Sequence, residues 1–270
     1  SPLSVQGPMA RNVPDLALAL DTMAGLCPLD PLTFDAPATS FQAAVAQPPT
    51  RLRIGFTANF GGTLPVDRET REICARAVRR FEEAGCIVEE AFPALGPVDE
   101  IFLALRSQHF VVERELQLGT HRELIKPDII WNTERGLQQT PSRLAWADRE
   151  RAALYRRFAA FFQTYDLLVT PGAATPAWDV RLRAREVIDG VKLDNYIAGS
   201  ALTSAITLTS CPAVSVPCGF DQYGRPVGLQ IVAPARGEAR ALQAAALFEH
   251  TSGLDRLLPI DPRPGTVPPG

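Results

Sequence analysis

Lysine is nearly missing from this chain: Lys126 and Lys192 are the only two among 27 cationic residues. A lysine that takes a proton from a serine must be buried enough to stay neutral. Lys126 precedes Pro127 in a polar stretch and Lys192 follows Asp189-Gly190 in another. Both are expected to be solvated and charged, which makes them unfit for that task. Histidine is almost as scarce. His109, His121 and His250 share no metal-ligand spacing with one another or with a cysteine, so neither a zinc site nor a Ser-His-Asp triad is expected. The chain also lacks a G-x-S-x-G elbow, a G-x-G-x-x-G turn and a phosphate-binding loop. Acyl transfer by an elbow serine, dinucleotide binding and nucleotide hydrolysis therefore each lack their geometric device. Gly61-Gly62 is too short to cradle a phosphate and is expected to form a turn.

Long apolar runs are missing too. None approaches the roughly 20 residues needed to span a bilayer, and Ser1-Pro2-Leu3-Ser4 opens the chain without the basic and apolar regions of a signal peptide. The net charge of −3 and a pI near 5.7 offer nothing to nucleic acid or an anionic membrane. Cysteines number five, Cys27, Cys74, Cys86, Cys211 and Cys218. Odd in number and scattered through apolar contexts, they are expected to be buried free thiols in a reducing, cytoplasmic compartment. Cys211 has no base near it in sequence, and a buried thiol is the better reading of it than a nucleophile.

What is present is alternation of helix and strand. At 46% hydrophobic over 270 residues the chain can bury a sizeable core. Asp15 to Met23 has helical spacing; residues 28–50 are proline-rich and read as a connecting loop; Leu52 to Thr57 is a short strand. A helix capped by Asp67 follows, with Ile73, Cys74, Ala77, Phe81 and Ala84 on one face and Glu72 and Arg76 paired on the other. Cys86 to Phe92 completes a β-α-β unit, expected to be parallel. Residues 98–118 and 142–165 are helical, punctuated by Pro127 and Pro141. Asp166 to Thr170 is a buried strand, a helix ends before Pro212, and Glu238 to Thr251 is the last helix. The tail from residue 258 to 270 holds five prolines and no core-forming pattern, so the expected domain is 1–257. The fold class is α/β, a mixed β-sheet flanked by helices on both sides.

The most informative stretch is Ile206-Thr207-Leu208-Thr209-Ser210-Cys211-Pro212-Ala213-Val214-Ser215-Val216-Pro217-Cys218-Gly219-Phe220, followed by a turn at Gly224 and Pro226-Val227-Gly228-Leu229-Gln230-Ile231-Val232. Its apolar, β-branched runs describe a strand pair. Its wording, together with Gly7-Pro8-Met9-Ala10-Arg11-Asn12-Val13, Met23-Ala24-Gly25, Leu52-Arg53-Ile54-Gly55 and Tyr165-Asp166-Leu167-Leu168-Val169-Thr170-Pro171, resembles the C-terminal half of the amidase signature family, with the blocks in the family's order.

That resemblance implies amide hydrolysis through an acyl-serine intermediate, without metal or organic cofactor. Family members use a Ser, a second Ser in a cis peptide and a Lys, carried by a Gly/Ser-rich stretch and a preceding strand. No Gly-Gly-Ser-Ser-Gly-like run occurs here, so the chain reads as beginning just after it, with no catalytic residue of its own and no amidase activity. The resemblance also implies that the helix before Pro212 faces the substrate channel. Tyr196, Ser200, Thr203, Ser204 and Thr207 lie broadly on one face of it and are the candidate substrate-binding residues; the alternative is that these hydroxyls merely back-bond within a helix rich in Ala. Amidotransferase members hold an acid on this helix to bind glutamine's α-amino group. The corresponding position is Ser200, which favours a neutral or aromatic amide over glutamine, with Asp194 the nearest acid. The expected partner is thus a small amide, and an unpaired sheet edge is expected to promote association between copies. Two alternatives stand beside this reading: the A-type component of a glutamyl-tRNA(Gln) amidotransferase, or a non-catalytic ligand- or partner-binding module.

Overall fold

The computed structural model describes residues 3–49 and 51–254. Its strands are β1 (Arg53–Phe56), β2 (Ile87–Glu90), β3 (Leu167–Pro171), β4 (Val187–Ile188), β5 (Val191–Lys192), β6 (Ala213–Phe220) and β7 (Pro226–Val232). Its helices are α1 (Val13–Met23), α2 (Phe41–Val45), α3 (Arg68–Ala77), α4 (Arg79–Glu83), α5 (Val98–Thr120), α6 (Pro127–Leu137), α7 (Pro141–Phe161), α8 (Ala201–Thr209) and α9 (Glu238–Ser252). Five strands form one mixed sheet in the order β2-β1-β3-β7-β6, with β1 parallel to both neighbours and β7 antiparallel to both of its own. The parallel β1-α-β2 unit expected from the sequence is present. Its helix is broken at Val78 into α3 and α4, and Glu72 pairs with Arg68 at 2.8 Å rather than with Arg76.

Alternation along the strands sorts side chains between two cores. Leu167 and Val169 of β3, Val214, Val216 and Cys218 of β6, and Leu229 and Ile231 of β7 face a layer made of α1, α2, α3, α4 and α9. Here Phe81 and Phe248 meet with ring centres 5.3 Å apart, both essentially buried. Each such ring contributes roughly 1.5–3 kcal/mol by leaving water. Leu168 and Val232 point the other way, into a layer of α5, α7 and α8. That second layer stops short of β6, where Ala213, Ser215 and Pro217 are exposed. The same face carries a polar row across the sheet: Thr170, Gln230 and Ser215 stand side by side in register, and Gln230 Nε2 donates to Thr170 Oγ1 at 3.4 Å.

Local chemistry explains several departures from expectation. The segment read as a loop, 28–50, contains α2, capped by Ser40 and tied to α1 by Asp21, whose carboxylate accepts the N–H groups of Phe41 and Gln42. The cap of α1 is Asn12, whose side-chain oxygen accepts the N–H of Asp15, so the helix begins earlier than Asp15 and takes Pro14 into its first turn. Pro127 and Pro141 open α6 and α7, where the missing N–H costs nothing. Reading Pro127 as an interruption hid α6. The turn between β6 and β7 is held by Asp221, whose buried carboxylate accepts from the backbone of Tyr223 and Arg225 and from Arg225 Nε. The tail 258–270 lies outside the described residues.

Candidate functional site

The site is built around α8. Its start is a 3-10 turn, Ala198–Ser200, and its end is fixed by three devices. Ser210 adopts a left-handed conformation, Thr209 Oγ1 donates to Ile206 O at 2.6 Å and accepts from Cys211 N, and Pro212 cannot continue the helix. Arg151 of α7 reaches the same end, its guanidinium donating to Leu208 O and Ser210 Oγ. A cation on free carbonyls at a helix C-terminus is a favourable placement.

All five candidate hydroxyls meet at one recess of about 210 Å³. They do not share one helix, however: Tyr196 precedes the 3-10 turn, Ser200 closes it, and only Thr203, Ser204 and Thr207 belong to α8. The hydroxyls are also unequal. Thr203 Oγ1 donates to Ser200 O at 2.9 Å, the back-bond anticipated as the alternative. Ser200, Ser204 and Thr207 direct no such bond to the protein among the described residues. Tyr196 is positioned from outside: Asn132 of α6, fully buried, donates one N–H to Asp128 O at 2.7 Å and one to the Tyr196 hydroxyl at 2.6 Å. The phenol's own proton therefore remains available to a ligand. The Trp131 ring meets the Tyr196 ring edge-on at 5.9 Å.

The opposite wall was not anticipated. Phe102 and Arg106 of α5 close it, together with Leu3 and Ile197. The only sequence signal was the i, i+4 ladder Phe102-Arg106-Phe110, and nothing local to residues 98–118 ties it to residues a hundred positions later. Among the described residues, no carboxylate lines the recess. Asp194 lies instead within Coulombic reach of Asp99 at the start of α5, whose carboxyl is pushed up by partial enclosure and then by that charge.

Other candidate groups fall elsewhere. Lys126 and Lys192 are exposed, Lys192 in β5 rather than in a loop. Cys74, Cys86 and Cys218 are buried, but Cys27 is exposed and Cys211 half-buried, against the expectation of five buried thiols. Burial pushes the Cys86 and Cys211 thiols up, which deactivates them. His109 pairs with Glu113 at 3.0 Å. No group of three metal-ligating side chains occurs among the described residues, and no helix there is long and apolar enough to cross a membrane.

A five-stranded mixed sheet between helical layers is the fold that amidase signature enzymes share. The amidase family's sequence profile matches residues 1–242, and the chain belongs to that family. An acylamidase of Rhodococcus erythropolis is 32% identical over 257 residues, 90% of this chain and 51% of the relative. The A component of the glutamyl-tRNA(Gln) amidotransferase of Moorella thermoacetica is 30% identical over 96% of this chain and 56% of the relative. A bacterial aryl acylamidase of the amidase signature family shares the fold, with a TM-score of 0.83 at 24% identity over 93% of this chain and 53% of that one. The chain spans about half the length of the curated relatives it matches.

Proposed function

We propose that this chain forms the sheet scaffold and one pocket wall of an amide C–N hydrolase. The recess at α8 seats the substrate, and the nucleophilic serine with its Ser and Lys partners comes from sequence outside these 270 residues. Convergence carries the reading: the hydroxyl side chains of α8, of Ser200 in the turn before it and of Tyr196 ahead of that turn meet at one recess, with Tyr196 aimed by a buried asparagine. Such donors can hold an amide oxygen or nitrogen but cannot attack it, because neither described lysine is near them and buried.

Ammonia release from a panel of aliphatic and aromatic amides tests both halves of this reading. The 270-residue chain is expected to release none, while the chain joined to the amino-terminal half of the Rhodococcus acylamidase gains activity that Tyr196→Phe lowers. Ammonia release by the chain alone would show that it holds its own nucleophile. An active fusion indifferent to Tyr196→Phe would remove the recess from the substrate path. A glutamine-dependent amidotransferase role is favoured by the Moorella relative, but the described residues of the recess include no carboxylate to partner an α-ammonium group.

A further inference from the structure

Among the described residues, Arg106 is the one charged side chain on the recess wall. It stands in the middle of α5, facing the α8 hydroxyls. Its guanidinium lies 4.8 Å from the centre of the Phe110 ring and 5.9 Å from that of Phe102, one helical turn to either side. Two aromatic faces at these distances attract the cation and restrict its rotamers, so little freedom is lost when it binds. Its Nε is fully buried and has no hydrogen-bond partner. It forms no ion pair among the described residues, although many surface arginines here do. Glu113, on the wall of the adjoining recess that Arg106 also lines, is engaged with His109. A half-buried guanidinium with no ion pair among the described residues, beside the Ser204 and Thr207 hydroxyls, which direct no bond to the protein there, offers a cation and donors suited to an anionic acceptor.

We infer that the recess recognises an amide that also bears a carboxylate, with Arg106 as its counter-ion and the hydroxyls of Tyr196, Ser204 and Thr207 as accessory donors. This rests on the reading of the recess as a substrate wall, and it replaces the neutral amide suggested by Ser200. A planar guanidinium fork matches a carboxylate in shape and in its single charge, whereas a phosphate would keep much of its charge unneutralised.

The test titrates the full chain with glutaramate and with glutaramide, an isosteric pair differing in the carboxylate, and follows the amide NMR signals of α8. Glutaramate is expected to bind at least tenfold more tightly, with a preference that shrinks as salt rises, disappears in Arg106→Gln and partly survives in Arg106→Lys. Equal binding of both compounds at α8 would overturn the role of Arg106 and leave the amide-pocket reading intact. No perturbation of α8 by either would overturn both. Inorganic phosphate displacing glutaramate at lower concentration would overturn the carboxylate assignment. The comparison of the two ligands on the unaltered chain needs no variant, so a poorly folding substitution cannot obscure it.

Discussion

The two faces of the sheet are built to different ends. One is closed: α1, α2, α3, α4 and α9 cover it with alanine, aliphatic and phenyl side chains. The other is covered only in part. There α5, α7 and α8 pack over β1, β3 and β7, while β6 shows Ser215 and Pro217 to solvent and polar atoms gather at Thr170, Gln230 and the α8 recess. Buried apolar area stabilises without direction, whereas hydroxyl, guanidinium and amide groups recognise ligands at a cost in burial. On the proposed reading of the α8 recess, stability and recognition are separated across a single layer of backbone.

Substitutions on each face should therefore move different observables. The largest effect is expected from Phe81→Ala on the closed face, a loss of about 3–5 kcal/mol in urea unfolding, with unchanged ligand affinity per folded molecule. Gly136→Ala comes next. A Cβ there would lie 2.3 Å from Ser107 O, forcing α6 away from α5. Overpacking of this kind costs about 1–3 kcal/mol and should also weaken ligand binding, because α6 carries the Asn132 that aims Tyr196. Tyr196→Phe leaves one Asn132 N–H unpaired, for about 1 kcal/mol of stability, and its main effect should be on affinity. Thr203→Val should change stability by no more than about 0.5 kcal/mol and affinity not at all, since that hydroxyl is spent on the helix backbone. A Thr203→Val variant that lost affinity while Tyr196→Phe kept it would reverse the assignment of donors.

Acid probes the end of the hairpin formed by β6 and β7. Burial pushes the Asp221 carboxyl up, but the N–H groups of Arg225 and Tyr223 and the Arg225 guanidinium outweigh it and hold the group below its ordinary value. A folded-state value lower than the unfolded one gives stability that is present above the ordinary carboxylate range and lost as pH falls through the folded value. Asp221→Asn should consequently flatten the fall of the urea midpoint below about pH 4. An unchanged slope would mean that other carboxylates govern the acid limb.

The closed face was the more legible one in the sequence. Ile73, Cys74, Ala77 and Phe81 repeat at helical spacing, and β6 alternates, so local periodicity carried their burial. The short elements escaped because β4 and β5 have two residues each and α2 has five, too few for a period to show. On the open face, the hydroxyls around α8 were found through a family resemblance. Arg106 and Asn132 were not, because their meaning depends on contacts with residues 64 or more positions away that no local pattern encodes.

The sulfurs of Cys74 and Cys218 lie 3.8 Å apart, sealed between α3 and the edge strand β6. The neighbouring sulfur and then burial push the Cys74 thiol strongly up, away from its reactive thiolate form. Cys27 is exposed. The molecule therefore carries its own clock: a thiol reagent marks Cys27 at once, and the interval before the buried pair reacts times the opening of the closed face under native conditions.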